Sequence, residues 1–167
     1  MTSSPDLFKA AFRHHPSGVA VITLESSAGP VALTASSVFS VSAEPPMLVF
    51  SVSNMASASK PLHEVDTLVV HLIATPQLDL AKLCAKHGAD RFAGDVWTWA
   101  RYESGEPYFE APAVRMRCRI AQRVEAGAST LIVGEVLDVI ISDDADDLAP
   151  LVYHDRAWHR LDDGSVL

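Results

Sequence analysis

A chain of 167 residues, 49% apolar and 20% charged, is long enough to bury a core without staples and too apolar to stay unfolded. A formal net charge of −8, from 13 basic and 21 acidic residues, excludes a broad nucleic-acid surface, so any phosphate it binds must be held locally. Cys84 and Cys118 lack C-x-x-C spacing, no apolar signal core opens the sequence, and no apolar run approaches the roughly 18 residues of a membrane span. The expectation is a soluble cytoplasmic protein of one domain, residues 1–167, with no membrane or nucleic-acid partner and reduced thiols, a disulfide between the two cysteines being left open.

In chain order, Leu7, Ala10 and Ala11 at i, i+3, i+4 predict a helix over residues 6–14, stopped by Pro16-Ser17-Gly18. A β-branched strand over 18–24 and its return at 31–33 flank Ser26-Ser27-Ala28-Gly29-Pro30, which is turn chemistry. Pro45-Pro46 separates a strand at 39–42 from one at 47–52, because proline cannot donate to a ladder. Residues 54–60 are small and polar, 60–65 suit one helical turn, and 67–73 form an apolar run typical of a strand buried on both faces. Pro76 at N1 opens a helix over 77–87, with Leu80, Leu83, Cys84 and His87 on one face and Gly88 at the C-cap. Residues 89–112 read as a long irregular segment holding Trp97, Trp99, Tyr102, Tyr108 and Phe109.

Residues 113–121 alternate, with Val114, Met116, Cys118 and Ile120 on one face and Arg115, Arg117 and Arg119 on the other. The arginine row suits a solvated or interface face more often than a phosphate site. A turn at 125–128, a strand at 129–141, an acidic loop at 142–147 and short strands at 151–153 and 157–161 complete the chain. Seven or more strands arriving as hairpins, against two or three helices, predict a mostly β, antiparallel barrel with peripheral helices.

The densest chemical signal is Leu33-Thr34-Ala35-Ser36-Ser37-Val38-Phe39-Ser40-Val41-Ser42. Hydroxyls and backbone N–H groups crowded into a β-type stretch offer a shelf to a phosphate or a polar ring edge, and equally suit a Ser/Thr-rich edge strand without a ligand. His14, His15, His63, His71 and His87 lack the spacing of a metal site, so no metal is expected.

The order of motifs carries more. Phe12-Arg13, Pro16-Ser17-Gly18-Val19-Ala20-Val21-Ile22-Thr23, Leu33-Thr34-Ala35-Ser36-Ser37, Ser40-Val41-Ser42-Ala43-Glu44-Pro45-Pro46, Asp90-Arg91-Phe92-Ala93-Gly94, Gly105-Glu106-Pro107 and Pro150-Leu151-Val152-Tyr153-His154 together resemble the flavin reductase family, with its FMN-binding split barrel. The resemblance implies a homodimer of split barrels that binds FMN or FAD, uses NADH or NADPH, and supplies reduced flavin to a partner monooxygenase. By position it implies that Thr34, Ala35, Ser36 and Ser37 meet the flavin ring and ribityl chain, largely through backbone groups, and that Ser51, Val52 and Ser53 line the same site. Residues 54–60 match the phosphate-binding loop, one residue longer here, leaving open which of Ser57, Ser59 and Lys60 reaches the phosphate. Val38, Val52 and Leu72 would shield the ring.

The family's Gly-Asp-His turn reads Gly127-Ala128-Ser129 here, which removes an acid and an imidazole from the nicotinamide side. Ser129 with Tyr153, His154 and Arg156 is the expected nicotinamide-binding set, His154 or Arg156 standing in for the missing imidazole; ordinary strand-end hydrogen bonding is the other reading of His154 and His159. No catalytic residue is assigned, since hydride transfer belongs to nicotinamide and flavin. The alternative function is a flavin-binding module or carrier without its own NAD(P)H oxidation, or with another hydride donor. The aromatics Trp97, Trp99, Tyr102 and Phe109 would cover the flavin edge or, the commoner fate, pack on the other subunit.

Overall fold

A computed structural model describes residues 4–167. The chain runs α1 (Pro5–Phe12), β1 (Ser17–Gly18), β2 (Ala20–Ser26), β3 (Gly29–Ala35), β4 (Phe39–Ala43), β5 (Pro46–Ser53), α2 (Ser59–Glu64), β6 (Thr67–Leu72), α3 (Leu78–Ala85), β7 (Trp99–Arg101), β8 (Pro107–Phe109), β9 (Val114–Ala126), β10 (Ser129–Ile141), β11 (Leu151–His154) and β12 (Ala157–Arg160). Seven strands form one antiparallel sheet in the order β3-β2-β6-β9-β10-β5-β4, while β1-β11-β12 and β7-β8 make two small sheets beside it. Just beyond β3, the Ser37 hydroxyl donates to the Ser51 carbonyl at 3.2 Å and accepts from the Ser51 N–H at 3.0 Å. That bridge brings the β3 edge back to β5 and makes the sheet a split barrel.

Alternation along β2 divides the interior into two cores. Ala20, Ile22 and Leu24 point into the barrel with Phe50, Leu62, Leu68 and Ile132. Val19 and Val21 face the other way, into a second cluster with Leu80, Ala81, Cys84 and Phe109. Both faces of β2 are therefore covered, which is why it reads as a continuous apolar run. Where β9 and β10 cross, Gly134 allows a close approach: a Cβ there would lie 3.3 Å from the Cys118 Cβ.

Several elements depart from expectation. The predicted strand 18–24 is two, because Ser17 and Gly18 pair with β11 while Ala20 onward pairs with β3 and β6. Strand β9 continues to Ala126, five residues past the predicted end, paired throughout with β10. Helix α3 stops at Ala85 rather than residue 87, for a reason given below.

The segment 89–112 is ordered by the β7-β8 hairpin. Its Phe109 N–H donates to the ring of His71 at 3.1 Å, Thr23 donates to the Pro107 carbonyl, and Arg117 reaches the buried Glu106 at 3.1 Å. Burial alone would push the Glu106 carboxyl up. Hydrogen bonds from Ser104, Thr67 and its own backbone, with the Arg117 charge, outweigh that and hold it below the usual carboxylate range. Phe92 stacks on Phe109 at 5.1 Å, and Trp97 and Trp99 pack on the second core. Tyr102 lies against Tyr108 at 4.8 Å. Phe109 is fully buried in this chain's own core, while Trp97, Trp99 and Tyr102 are half-buried. The arginine row finds partners within the chain: Arg115 lies 4.5 Å over the Tyr108 ring, and the exposed Arg119 pairs with Glu135 at 2.6 Å.

Candidate functional site

Two depressions meet at Ser51 on β5. The smaller, about 270 Å³, lies between Thr34 on β3, Val52 and Ser53 at the end of β5, Ser57 in the following loop, and His87 and Arg91 beyond α3. Its cation is fixed before any ligand arrives. Arg91 donates to the carbonyls of Cys84 at 3.2 Å, Lys86 at 2.9 Å and Ala89 at 3.3 Å. The Cys84 and Lys86 carbonyls lie in the last turn and at the C-cap of α3, so the guanidinium takes the place of further helical turns and stops the helix early. Asp90 holds the next stretch, accepting from the N–H groups of Phe92 and Ala93 at 3.1 Å. A guanidinium has five N–H donors, and three are spent, leaving two for an anion. No carboxylate lines this cavity. Burial pushes the Cys84 thiol up to about 12 despite the Arg91 charge, so the thiol stays neutral.

The larger depression, about 750 Å³, is a cleft. One wall is Ser36, Ser37 and Val38, which lie between β3 and β4 in neither strand, so their amides take no part in the ladder. The others are β1, α1 and the β11-β12 turn with Tyr153, His154 and Arg156. That turn holds two non-glycine residues in the left-handed region, Asp155 at φ 44° and Arg156 at φ 65°. Positions of that kind usually take asparagine and glycine, and their strain gathers where a surface is shaped for a ligand.

A small seat carrying a preset guanidinium, sharing Ser51 with a wider and largely apolar cleft, suits a ligand with a ring at one end and a phosphate at the other. The sequence pattern of the flavin reductase like domain matches residues 12–162. The chain belongs to this family. An NADH:FMN oxidoreductase of Rhodococcus erythropolis is 39% identical over 154 residues, covering 92% of this chain and 80% of that one. Among solved structures, a flavin reductase domain protein from Arthrobacter sp. FB24 superposes with a TM-score of 0.87 at 28% identity, covering 95% of this chain and 96% of the other. A Streptomyces globisporus NADH:FAD oxidoreductase, solved in complex with NAD and FAD fragments, gives 0.86 at 25% identity over 99% of each chain.

Within this flavin reductase fold the residues anticipated from sequence separate into three groups. Thr34, Ser51, Val52, Ser53 and Ser57 line the small cavity, and Ser36, Ser37, Ser51, Tyr153, His154 and Arg156 line the cleft. Two of the hydroxyls are already engaged: Thr34 donates to the Ala81 carbonyl at 2.6 Å, and Ser37 bridges to Ser51. The rest lie outside. Ala35 is turned into the barrel core, and Ser59 is buried with its amide on the Ala56 carbonyl at 3.0 Å. Lys60 is exposed and faces Glu64 at 3.8 Å, because the first turn of α2 points its side chain to solvent. Ser129 pairs with Ser53 across the β10-β5 ladder, one strand removed from the small cavity's rim. Of the expected apolar shields, Val38 and Val52 line the depressions, while Leu72 does not.

Arg91 and His87 were not anticipated as ligand-facing. Arg91 stands in the Asp90-Arg91-Phe92-Ala93-Gly94 motif, which carries the resemblance without a role for the arginine, and His87 reads from sequence as part of one face of a helix. The α1 side chains in the cleft were also missed. Among the described residues no cluster of three or more His, Cys, Asp or Glu side chains is placed to hold a metal, and no helix is long and apolar enough to cross a membrane.

Proposed function

We propose that this flavin reductase binds FMN with its phosphate in the small cavity and its ring on the Ser36–Val38 ledge, and reduces it with NADH or NADPH entering the cleft. What carries the reading is that the two depressions share Ser51, with a guanidinium that keeps two N–H donors free at the narrow end. When both are bound, nicotinamide and isoalloxazine supply the hydride transfer between them. The residues bind and orient. Arg91, with Ser53 and Ser57, neutralises and ligates the phosphate. The amides of 36–38 are available to the polar edge of the ring, and Val38 and Val52 keep water from its face. Tyr153, His154 and Arg156 hold the nicotinamide side, with Ser129 near the rim.

Neither an acid nor an imidazole at Gly127-Ala128-Ser129 is needed for this role, because alignment of the two rings is the protein's main contribution. The same reading has the protein work in the cytoplasm as a homodimer, supported by two unpaired buried cysteines and by exposed apolar side chains along β10. It also has reduced flavin pass to a partner monooxygenase, supported by the exposed position of Ser36 at the ledge.

The test is to mix purified protein with FMN or FAD and with NADH or NADPH, and to follow oxidation of the nucleotide. Turnover well above the free-flavin background with at least one pair is expected. Flavin binding without nucleotide oxidation would leave a carrier instead.

A further inference from the structure

Between the loop that walls the small cavity and the β9-β10 hairpin lies a polar contact that ligand binding alone does not explain. Strand β5 leaves its ladder after Ser53, which pairs with Ser129, and the chain then turns through 54–58 into α2. Ser53, Ala56, Ser57 and Ala58 line the cavity together with Arg91. Inside the loop the bonds are local: Ser53 accepts from the Met55 N–H at its hydroxyl, 3.3 Å, and from the Ala56 N–H at its carbonyl, 2.9 Å. Among the described residues, both hydrogen bonds that tie 54–57 to a neighbouring strand or turn are made by Asn54. Its N–H donates to the Ala128 carbonyl at 3.0 Å, in the β9-β10 turn, and its side chain lies 3.0 Å from the Thr130 hydroxyl on β10.

Thr130 is fully buried, where an unpaired hydroxyl is costly. Its oxygen has two neighbours, Asn54 Oδ1 and Glu125 Oε1, each at 3.0 Å. Both are acceptors, and a hydroxyl carries one proton. The carboxylate can only accept and is the stronger claimant. An amide keeps its shape on a half-turn that exchanges its oxygen and nitrogen; so placed, Asn54 donates to the hydroxyl that donates to Glu125. Amide, hydroxyl and carboxylate then form one chain of donors and acceptors with no proton missing.

We propose that Asn54 is a positioning residue for the flavin phosphate: its amide, donating to Thr130, fixes the start of the loop to β10 and so sets Ser53 and Ser57 beside Arg91. This rests on the reading that the small cavity takes the phosphate, and deepens it. Asn54 does not itself line the cavity, so it acts on the ligand through the loop. The hairpin is a firm base, since Ala126 and Ser129 close a two-residue turn with Gly127 at φ 64°. Without the clamp the loop keeps its local bonds and loses its register on β10. The cost falls on a ligand that needs Ser57 and Arg91 at once, and not on the fold.

Thr130→Val removes the hydroxyl, keeps the side chain's shape and suits a strand, while Asn54→Ala removes the amide from an exposed position, so both proteins should fold. Fluorescence titration should show FMN bound about fivefold more weakly by each, riboflavin bound as by the wild type, and the double variant no worse than either single one. Thr130→Ser, which keeps the hydroxyl, should hold FMN within about twofold of the wild type. Asn54→Asp, which cannot donate, should lose at least as much as Asn54→Ala. Unchanged FMN affinity in Thr130→Val, additive losses in the double variant, or equal losses for FMN and riboflavin would overturn the clamp, as would an Asn54→Asp protein that binds FMN like the wild type. Amide hydrogen exchange at residues 55–58 keeps the two readings apart. If the wild type holds FMN no more tightly than riboflavin, the phosphate reading fails; faster exchange in both single variants would then still support the clamp, and unchanged exchange would overturn it too.

Discussion

Around the small cavity the side chains are committed before a ligand arrives. Thr34 is tied to α3 at 2.6 Å, Arg91 is held by three carbonyls, and Ser51 is bridged by Ser37. Around the large cleft the outer wall is a helix that buries nothing and a turn held at positive φ by two non-glycine residues. One seat is built like a core and the other like a door. The difference suits a molecule that keeps one partner's phosphate in fixed geometry while admitting and releasing another at every turnover: preorganisation lowers the cost of binding, and a loosely packed wall lowers the barrier to exit.

The largest expected effect attacks the firm side through its foundation. Cys84, on the rim of the small cavity, packs in the second core with Phe109, whose N–H is held by His71. His71 is fully buried, lies 2.9 Å from the Val21 carbonyl through Nδ1 and accepts from Phe109 through Nε2, an arrangement that requires the neutral Nδ1–H tautomer. Burial, aided by the Arg115 charge and opposed by the Val21 bond, lowers its pKa from 6.5 to about 4. The unfolded imidazole therefore binds a proton that the folded one refuses across that window. The native state keeps this advantage above the unfolded pKa and loses it as the pH falls through the window, by about 3 kcal/mol in all. Urea unfolding at neutral pH and near about pH 4.5 measures the loss, and His71→Gln should flatten the dependence. A stability that is level through this window would mean that burial does not hold His71 neutral in the folded state.

Next in size is Arg91. Arg91→Ala should weaken FMN about ten- to a hundredfold, the range of charge-assisted hydrogen bonds to phosphate, and should leave riboflavin, which has no phosphate, nearly unaffected. Arg91→Lys should fall between, since an ammonium keeps the charge and loses the fork. Fluorescence titration with both flavins reads this. Equal losses for the two would show that Arg91 acts only as the stop of α3.

On the looser side the expected sign reverses. Arg156→Gly removes a side chain from φ 65° and should stabilise the fold by about 1 kcal/mol, while raising KM for the dinucleotide. Thermal unfolding and steady-state kinetics on the same variant decide it. A gain in stability with no kinetic cost would mean that the strained turn has no part in the cleft.

The contrast also explains what could be read from sequence. Strand β10 matches the predicted 129–141 residue for residue, because thirteen residues of β-branched and apolar pattern leave one interpretation. The barrel follows from such strands. Strands β7 and β8 were hidden, being three residues each, too short for periodicity to register, and made into a hairpin by distant partners such as His71 and Thr23. The end of α3 was hidden for a related reason: local propensity allows the helix to reach residue 87, and only the tertiary capture of its carbonyls by Arg91 stops it at Ala85. The ledge was legible as chemistry, but its assignment to a flavin came from the order of motifs and not from composition. Which hydroxyls remain free on it depends on bonds to residues 14 and 47 positions away, which no local pattern contains.

The smallest effect is the sharpest discriminator between the two ways of locating a phosphate. Lys60 closes a Ser- and Ala-rich loop and is the cation that the sequence offers, yet its side chain is 87% exposed and stands 3.8 Å from Glu64. An exposed ammonium on a flexible stem, already facing a carboxylate one helical turn away, contributes little to a ligand in a neighbouring cavity and is screened by salt. Lys60→Ala should therefore change FMN affinity by no more than about twofold at physiological ionic strength, against the ten- to hundredfold of Arg91→Ala. If the two substitutions cost the same, the phosphate spans both cations, and the small cavity is the inner half of a wider and less rigid seat.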